Sequence, residues 1–129
     1  MAPAPMNALL IDAYAAQHPG SPSPQAIRSV AVHLLTLHGV FVRGVALEKA
    51  MWLRVQGVSE RNASKLGRFF WLTPPSFSGA LSIANVARES TPASRATLAA
   101  RYVECVWTTW SRVHGETVSA WFDEFIAPH

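Results

Sequence analysis

The chain has little of most things that mark a specialised class. Cysteine occurs once, at Cys105, so no internal disulfide can form and no Cys-x-x-Cys pair exists for a redox or zinc site. Charge is scarce: Asp, Glu, Lys and Arg together make up 15% of the residues, where about 25% is usual. The basic residues, almost all arginine, are spread from Arg28 to Arg112 without a cluster, which disfavours nucleic-acid binding, a function that needs a concentrated basic face. No apolar run approaches the roughly 18 residues of a membrane span. The opening Met-Ala-Pro-Ala-Pro-Met carries no positive charge ahead of an apolar stretch, so no secretory signal is read either. A glycine-rich phosphate loop, a nucleophile elbow and a His-Glu-x-x-His motif are also missing. These absences describe a cytoplasmic protein, with no membrane partner, whose cysteine serves as a small hydrophobe.

What is present is an apolar half of a 129-residue chain with a formal net charge of +3. That length suits one domain able to bury an ordinary core without a metal or disulfide to hold it. Residues 1–5, with Pro3 and Pro5, read as a disordered lead, and 6–129 as a single helical domain.

Met6, Leu9, Leu10, Ala13 and Tyr14 recur at helical spacing until His18-Pro19-Gly20 stops the helix. Ser23 then reads as an N-cap with Pro24 at the first helical position, opening a second helix to about residue 42. In it Ile27, Val30, Leu34, Leu37, His38 and Phe41 form one apolar stripe, with His33 on its flank. Gly39 and Gly44 weaken and end this helix, a shorter third covers 45–55, and 59–67 is polar and ambiguous, a short helix at most. Residues 69–79, from an apolar Phe69-Phe70-Trp71-Leu72 into Thr73-Pro74-Pro75, read as a buried extended linker. A turn or two of helix fits 82–88. Thr91-Pro92 repeats the cap-and-proline signal ahead of the strongest periodicity in the chain: Ala99, Tyr102, Val103, Val106, Trp110 and Val113. Gly115 is expected to end that helix, leaving Val118, Trp121, Phe122 and Phe125 to a final one. Nothing alternates for long enough to make a sheet. The class is all-α, a helical bundle of four main helices with one or two short helices and a Pro-rich extended linker.

Several segments taken in order resemble the bacterial DUF5946 family: Asp12-Ala13-Tyr14-Ala15-Ala16-Gln17-His18-Pro19-Gly20, Ser29-Val30-Ala31-Val32-His33-Leu34, Trp71-Leu72-Thr73-Pro74-Pro75 with Gly79, and Val106-Trp107-Thr108-Thr109-Trp110 with His114. The likeness covers about residues 10–115 and implies a shared fold and shared site positions, the family having no established biochemical function. Members often carry a Cys-Pro-x-Cys-type segment ahead of the aspartate-tyrosine motif. This chain has none, so any role of those cysteines is absent from it.

Chemistry rests on Asp12, Tyr14, Gln17, His18, His33 and His114. Three imidazoles and a carboxylate suit zinc or another divalent metal with one position left open, and a metal so held would lower the pKa of its water. On that expectation His18, His33, His114 and Asp12 are ligands, Asp12, Tyr14 and His33 carry catalysis, and Gln17, Trp71, Trp107 and Trp110 contact a small-molecule ligand. No organic cofactor is indicated. His33 and His38 stand about 140° apart on their helix, so at most one of them belongs to a site; His38, inside the apolar stripe, is assigned to the core.

Each residue also has a plainer role. His18 and His114 suit helix ends, where an imidazole meets free carbonyls. A buried Asp12 needs a partner, and Arg or His serves as well as a metal. Trp107 and Trp110 at helical spacing are more often core than ligand wall. Glu104 is a general base only if it faces inward, and Cys105 has Arg101 one turn away. The rival to an enzyme or small-molecule binder is therefore a non-catalytic interaction module or homodimer, its abundant Trp and Phe serving an interface. A DNA-associated protein would need Arg28, Arg43, Arg54, Arg61 and Arg68 on one face.

Overall fold

The structure is a computed structural model and describes residues 4–57 and 68–126. Among these residues all regular structure is helical: α1 (Ala4–Gln17), α2 (Pro24–Phe41), a 3-10 turn (Leu47–Lys49) running into α3 (Ala50–Gly57), a short α4 (Ile83–Ala87) and α5 (Pro92–Phe125). None of these helices is long and apolar enough to cross a membrane. The 59–67 segment, apart from its surroundings, lies outside the described residues.

Helix α2 is the centre of the molecule, packed against α1, α3 and α5, while α1 also meets α3 and α5 and α4 lies on α5. The expected single stripe on α2 is too narrow. Every residue from Val30 to Gly39 except the half-buried His33 is buried, because helices cover α2 on several sides. Thr36, fully enclosed, returns its hydroxyl to the Val32 carbonyl at 2.9 Å and so leaves no loose donor. Gly39 explains the close approach of neighbours. A Cβ there would stand 2.5 Å from Leu53 Cδ1 of α3 and 3.1 Å from Phe122 Cε2 of α5. The glycine read as a weak point in α2 is thus the place where three helices touch.

Capping follows the sequence closely. Ser23 accepts from the Ala26 N–H, and Ser82 with Asn85 and Thr91 with Ser94 form capping boxes at α4 and α5. Helix α1 is described from Ala4, so its first turn takes in Pro5, at a position that needs no N–H.

The largest correction concerns α5. It does not end at Gly115 but continues for 34 residues to Phe125, absorbing the separate terminal helix. The buried arc runs on through Val118, Trp121, Phe122 and Phe125 and gains more from an unbroken apolar face than the roughly 1 kcal/mol that an interior glycine costs. That arc also swings round the helix by roughly 80° between its two halves. Val113 falls off its edge and is 61% exposed, contrary to its place in the periodic set.

The linker is non-helical as expected and lies against α5, but it is not buried along its length: Phe70, Thr73, Ser76, Ser78 and Gly79 are exposed. Phe69 and Leu72 are buried; Phe69 meets the Trp121 and Phe125 rings at 5.0 and 4.5 Å, while Phe70 stays exposed beside Trp121.

Candidate functional site

Asp12 is fully buried, and an ionised carboxylate out of water must be met by donors or cations. Two helices supply them. Arg54 of α3 donates its Nε to Oδ1 at 3.1 Å and its Nη2 to Oδ2 at 2.6 Å, a two-pronged grip that suits a guanidinium. From α2, His33 brings Nδ1 to 2.5 Å from Oδ1. Because the carboxylate can only accept, Nδ1 carries the proton and Nε2 is left with its lone pair. The His33 side chain is 14% exposed, and Nε2 makes no hydrogen bond among the described residues. A buried carboxylate thus orients an imidazole whose far nitrogen is unoccupied, the relation that positions a general base.

Local folding places these groups. Asp12 is flanked by the buried Leu9, Ala13 and Ala16 on the inner face of α1, with Tyr14 and Ile11 turned outward at 47% and 59% exposure. His33 sits at the edge of the buried run of α2, as its flank position predicts. Arg54 is the residue that site reading from sequence passed over. The signal for it was Asp12 itself, a carboxylate on an apolar helix face that required a cation.

The other expected site residues lie apart from this group. His18 follows the last residue of α1 and packs at a tilt against Tyr14, with ring centroids 4.5 Å apart. His114 Nε2 meets the Thr73 carbonyl at 2.7 Å and pins the linker to α5. The four-ligand set of His18, His33, His114 and Asp12 is therefore not assembled, and no group of three or more His, Cys, Asp or Glu among the described residues is placed to hold a metal ion. The physical reason is that both oxygens of Asp12 are already taken, and His18 and His114 serve the ends of separate segments.

Gln17 is also committed elsewhere. Its Nε2 donates to the Leu81 carbonyl at 2.8 Å and its Oε1 accepts from the Tyr102 hydroxyl at 2.8 Å. Burial pushes that phenol up to about 12. Trp110 is fully buried with its indole N–H on the Ala16 carbonyl at 2.9 Å, and Trp107 is 5% exposed, so these two are core rather than a ligand wall. Trp71 is half-buried.

These positions coincide with the recurrent motifs: the aspartate-tyrosine segment supplies Asp12 and Gln17, the second segment His33, the aromatic segment Trp107 and Trp110. The family model described as a family of unknown function, DUF5946, matches residues 1–111. The chain belongs to the DUF5946 family. No curated protein and no solved structure matches it. Within this DUF5946 chain, the matched region contains Asp12, His33 and Arg54 and stops short of His114.

His38, assigned to the core, is there: 2% exposed, edge-on to Trp107 at 5.6 Å and tilted against Phe122 at 5.3 Å. Arg43 donates its Nε to His38 Nε2 at 3.0 Å, which places the imidazole proton on Nδ1, a buried atom with no partner among the described residues. Burial first, then the Arg43 charge, lower its pKa to about 4. Three of the arginines weighed for a DNA-binding face are engaged within the protein instead, Arg43 with Asp123, Arg54 with Asp12 and Arg68 with Glu124, while Arg28 is exposed on α2. Arg61 lies outside the described residues.

Proposed function

We propose that this protein acts on or binds a small molecule through His33, with Asp12 holding the imidazole in one tautomer and Arg54 fixing Asp12 in place. The observation that carries this reading is the partly exposed His33 whose Nδ1 is committed to a fully buried carboxylate and whose Nε2 has no hydrogen-bond partner among the described residues. Such an Nε2 accepts a proton from a bound hydroxyl, thiol or acidic carbon and returns it, and the Asp12 carboxylate stabilises the imidazolium in between. Proton transfer or a strong hydrogen bond is the chemistry supported. A single cysteine and no disulfide suit the cytoplasm as its compartment.

A screen of small organic molecules followed by protein NMR tests the proposal. The expected result is a ligand that shifts the His33 ring signals and no longer binds to a folded His33→Gln variant. Hits that leave His33 untouched, or bind the variant equally well, overturn it.

One observation favours a second reading, a homodimer or interaction module. Ile11 and Tyr14 on α1 and Trp52 and Val55 on α3 are all exposed, on the two helices that carry Asp12 and Arg54. Sedimentation that gives a monomer at all concentrations removes the homodimer and leaves the first reading intact.

A further inference from the structure

A polar hollow elsewhere in the molecule shares no residue with the Asp12 group. It is a cavity of about 420 Å3 between the linker and α5, with Ser76 and Ser78 on one wall and Arg101, Glu104, Cys105 and Arg112 on the other. That volume falls in the roughly 300–1,000 Å3 range of small-molecule sites. Helical spacing makes the second wall: residues eleven apart lie within about 20° of one line, so Arg101 and Arg112 stand on one face of α5 with Cα atoms about 16 Å apart. The opposite wall is held open by a turn in which the Ala80 N–H bonds the Phe77 carbonyl at 2.9 Å, with Gly79 at a φ of 77°.

The charges are what single this hollow out. Arg43, Arg54, Arg68 and Arg95 all bond acceptors of the protein. Of the described arginines left without an ion pair or side-chain hydrogen bond, Arg28, Arg88, Arg101 and Arg112, the last two line this cavity together. The long wall therefore reads positive at each end and negative at Glu104 between them. A molecule complementary to that pattern has an anionic group at each end and hydrogen-bond donors in its middle. Guanidinium groups bind carboxylate and phosphate oxygens through paired N–H donors, Glu104 accepts from a central hydroxyl, and the Ser76 and Ser78 hydroxyls face the same molecule from the linker side.

We infer that the groove between the linker and α5 binds a small hydroxylated organic anion with an anionic group at each end, one for Arg101 and one for Arg112. The proposal stands apart from His33, and its test does not involve that residue.

Calorimetric titration of the full chain with citrate and, separately, fructose 1,6-bisphosphate decides it and tells carboxylate from phosphate ends. At least one should bind tighter than about 1 mM, and Arg101→Gln or Arg112→Gln should each weaken binding at least about tenfold, in keeping with the loss of a charge-assisted contact. Inorganic phosphate, which has no second end, should bind at least about tenfold more weakly than the favoured probe. Amide NMR signals of Ser78, Glu104, Cys105 and Thr108 should shift on binding. Both arginines are exposed, so circular dichroism should show the variants folded. Failure of both probes to bind overturns the proposal. So does binding that survives the double substitution, matches that of inorganic phosphate, or shifts amides elsewhere.

Discussion

His33 Nδ1 lies 2.5 Å from Asp12 Oδ1, and the carboxylate that holds it has no exposed surface. Arg54 balances that charge from a third helix, so the group joins α1, α2 and α3 as well as presenting His33. Removing one partner strands a buried charge, which typically costs about 3–5 kcal/mol. Arg54→Met should therefore lower unfolding free energy by about that amount. Asp12→Asn combined with Arg54→Met should cost clearly less than the sum of the two single changes, because no lone charge remains. Denaturant titration of the four proteins measures the coupling, and simple additivity contradicts the pairing.

His38 predicts a specific acid response. Its folded-state pKa of about 4 lies below the 6.5 of an unperturbed imidazole, so the unfolded chain binds the proton more readily. Its contribution to stability is present in full above pH 6.5 and is lost as pH falls from 6.5 to about 4, with a slope of up to ~1.4 kcal/mol per pH unit. His38→Leu should flatten stability across that window and remove a buried donor that has no partner among the described residues. Unfolding curves at several pH values check it; an unchanged slope in the variant assigns the acid sensitivity to other groups.

Two helical glycines should respond oppositely to alanine. Gly39→Ala drives a methyl into Leu53 and Phe122 where three helices meet, and should destabilise by about 1–3 kcal/mol, the usual cost of overpacking. At Gly115 the new methyl meets only the Ser111 side chain, Oγ at 3.0 Å, which can rotate away. Gly115→Ala should then stabilise by about 0.5–1 kcal/mol if α5 runs unbroken through this position. Thermal melts of both variants give the comparison, and destabilisation at Gly115 speaks for a helix break there.

Tyr102→Phe should cost about 1–2 kcal/mol, since the Gln17 amide between Tyr102 and the Leu81 carbonyl loses the hydroxyl that satisfies its oxygen. Unfolding free energy of the variant measures this directly. A neutral result would mean that water reaches Gln17.

The sequence carried the helical class, the caps at Ser23 and Thr91, the non-helical linker and the core place of His38, because each is a local signal of proline, hydroxyl or period. Gly115 misled for the same reason: locally it is a stop, and only the tertiary face formed by Val118, Trp121 and Phe125 overrides it. For the site, Asp12 and His33 were legible as a polar pair on otherwise apolar helices. Their mutual distance and the identity of Arg54 depend on how α1, α2 and α3 cross, which no short spacing encodes. His18, His114 and Gln17 were read as converging on one point, yet each found its nearest partner instead: a neighbouring ring, a linker carbonyl and a tyrosine hydroxyl.

An uninterrupted α5 of 34 residues is a rod about 50 Å long. It bears Arg101 and Arg112 on its outer side and, further along, the Phe122 ring that lies against Arg43 and His38. With no joint between them, the two regions share one lever: a push that slides or rolls the rod at the arginines must be felt by the aromatic packing at its far end.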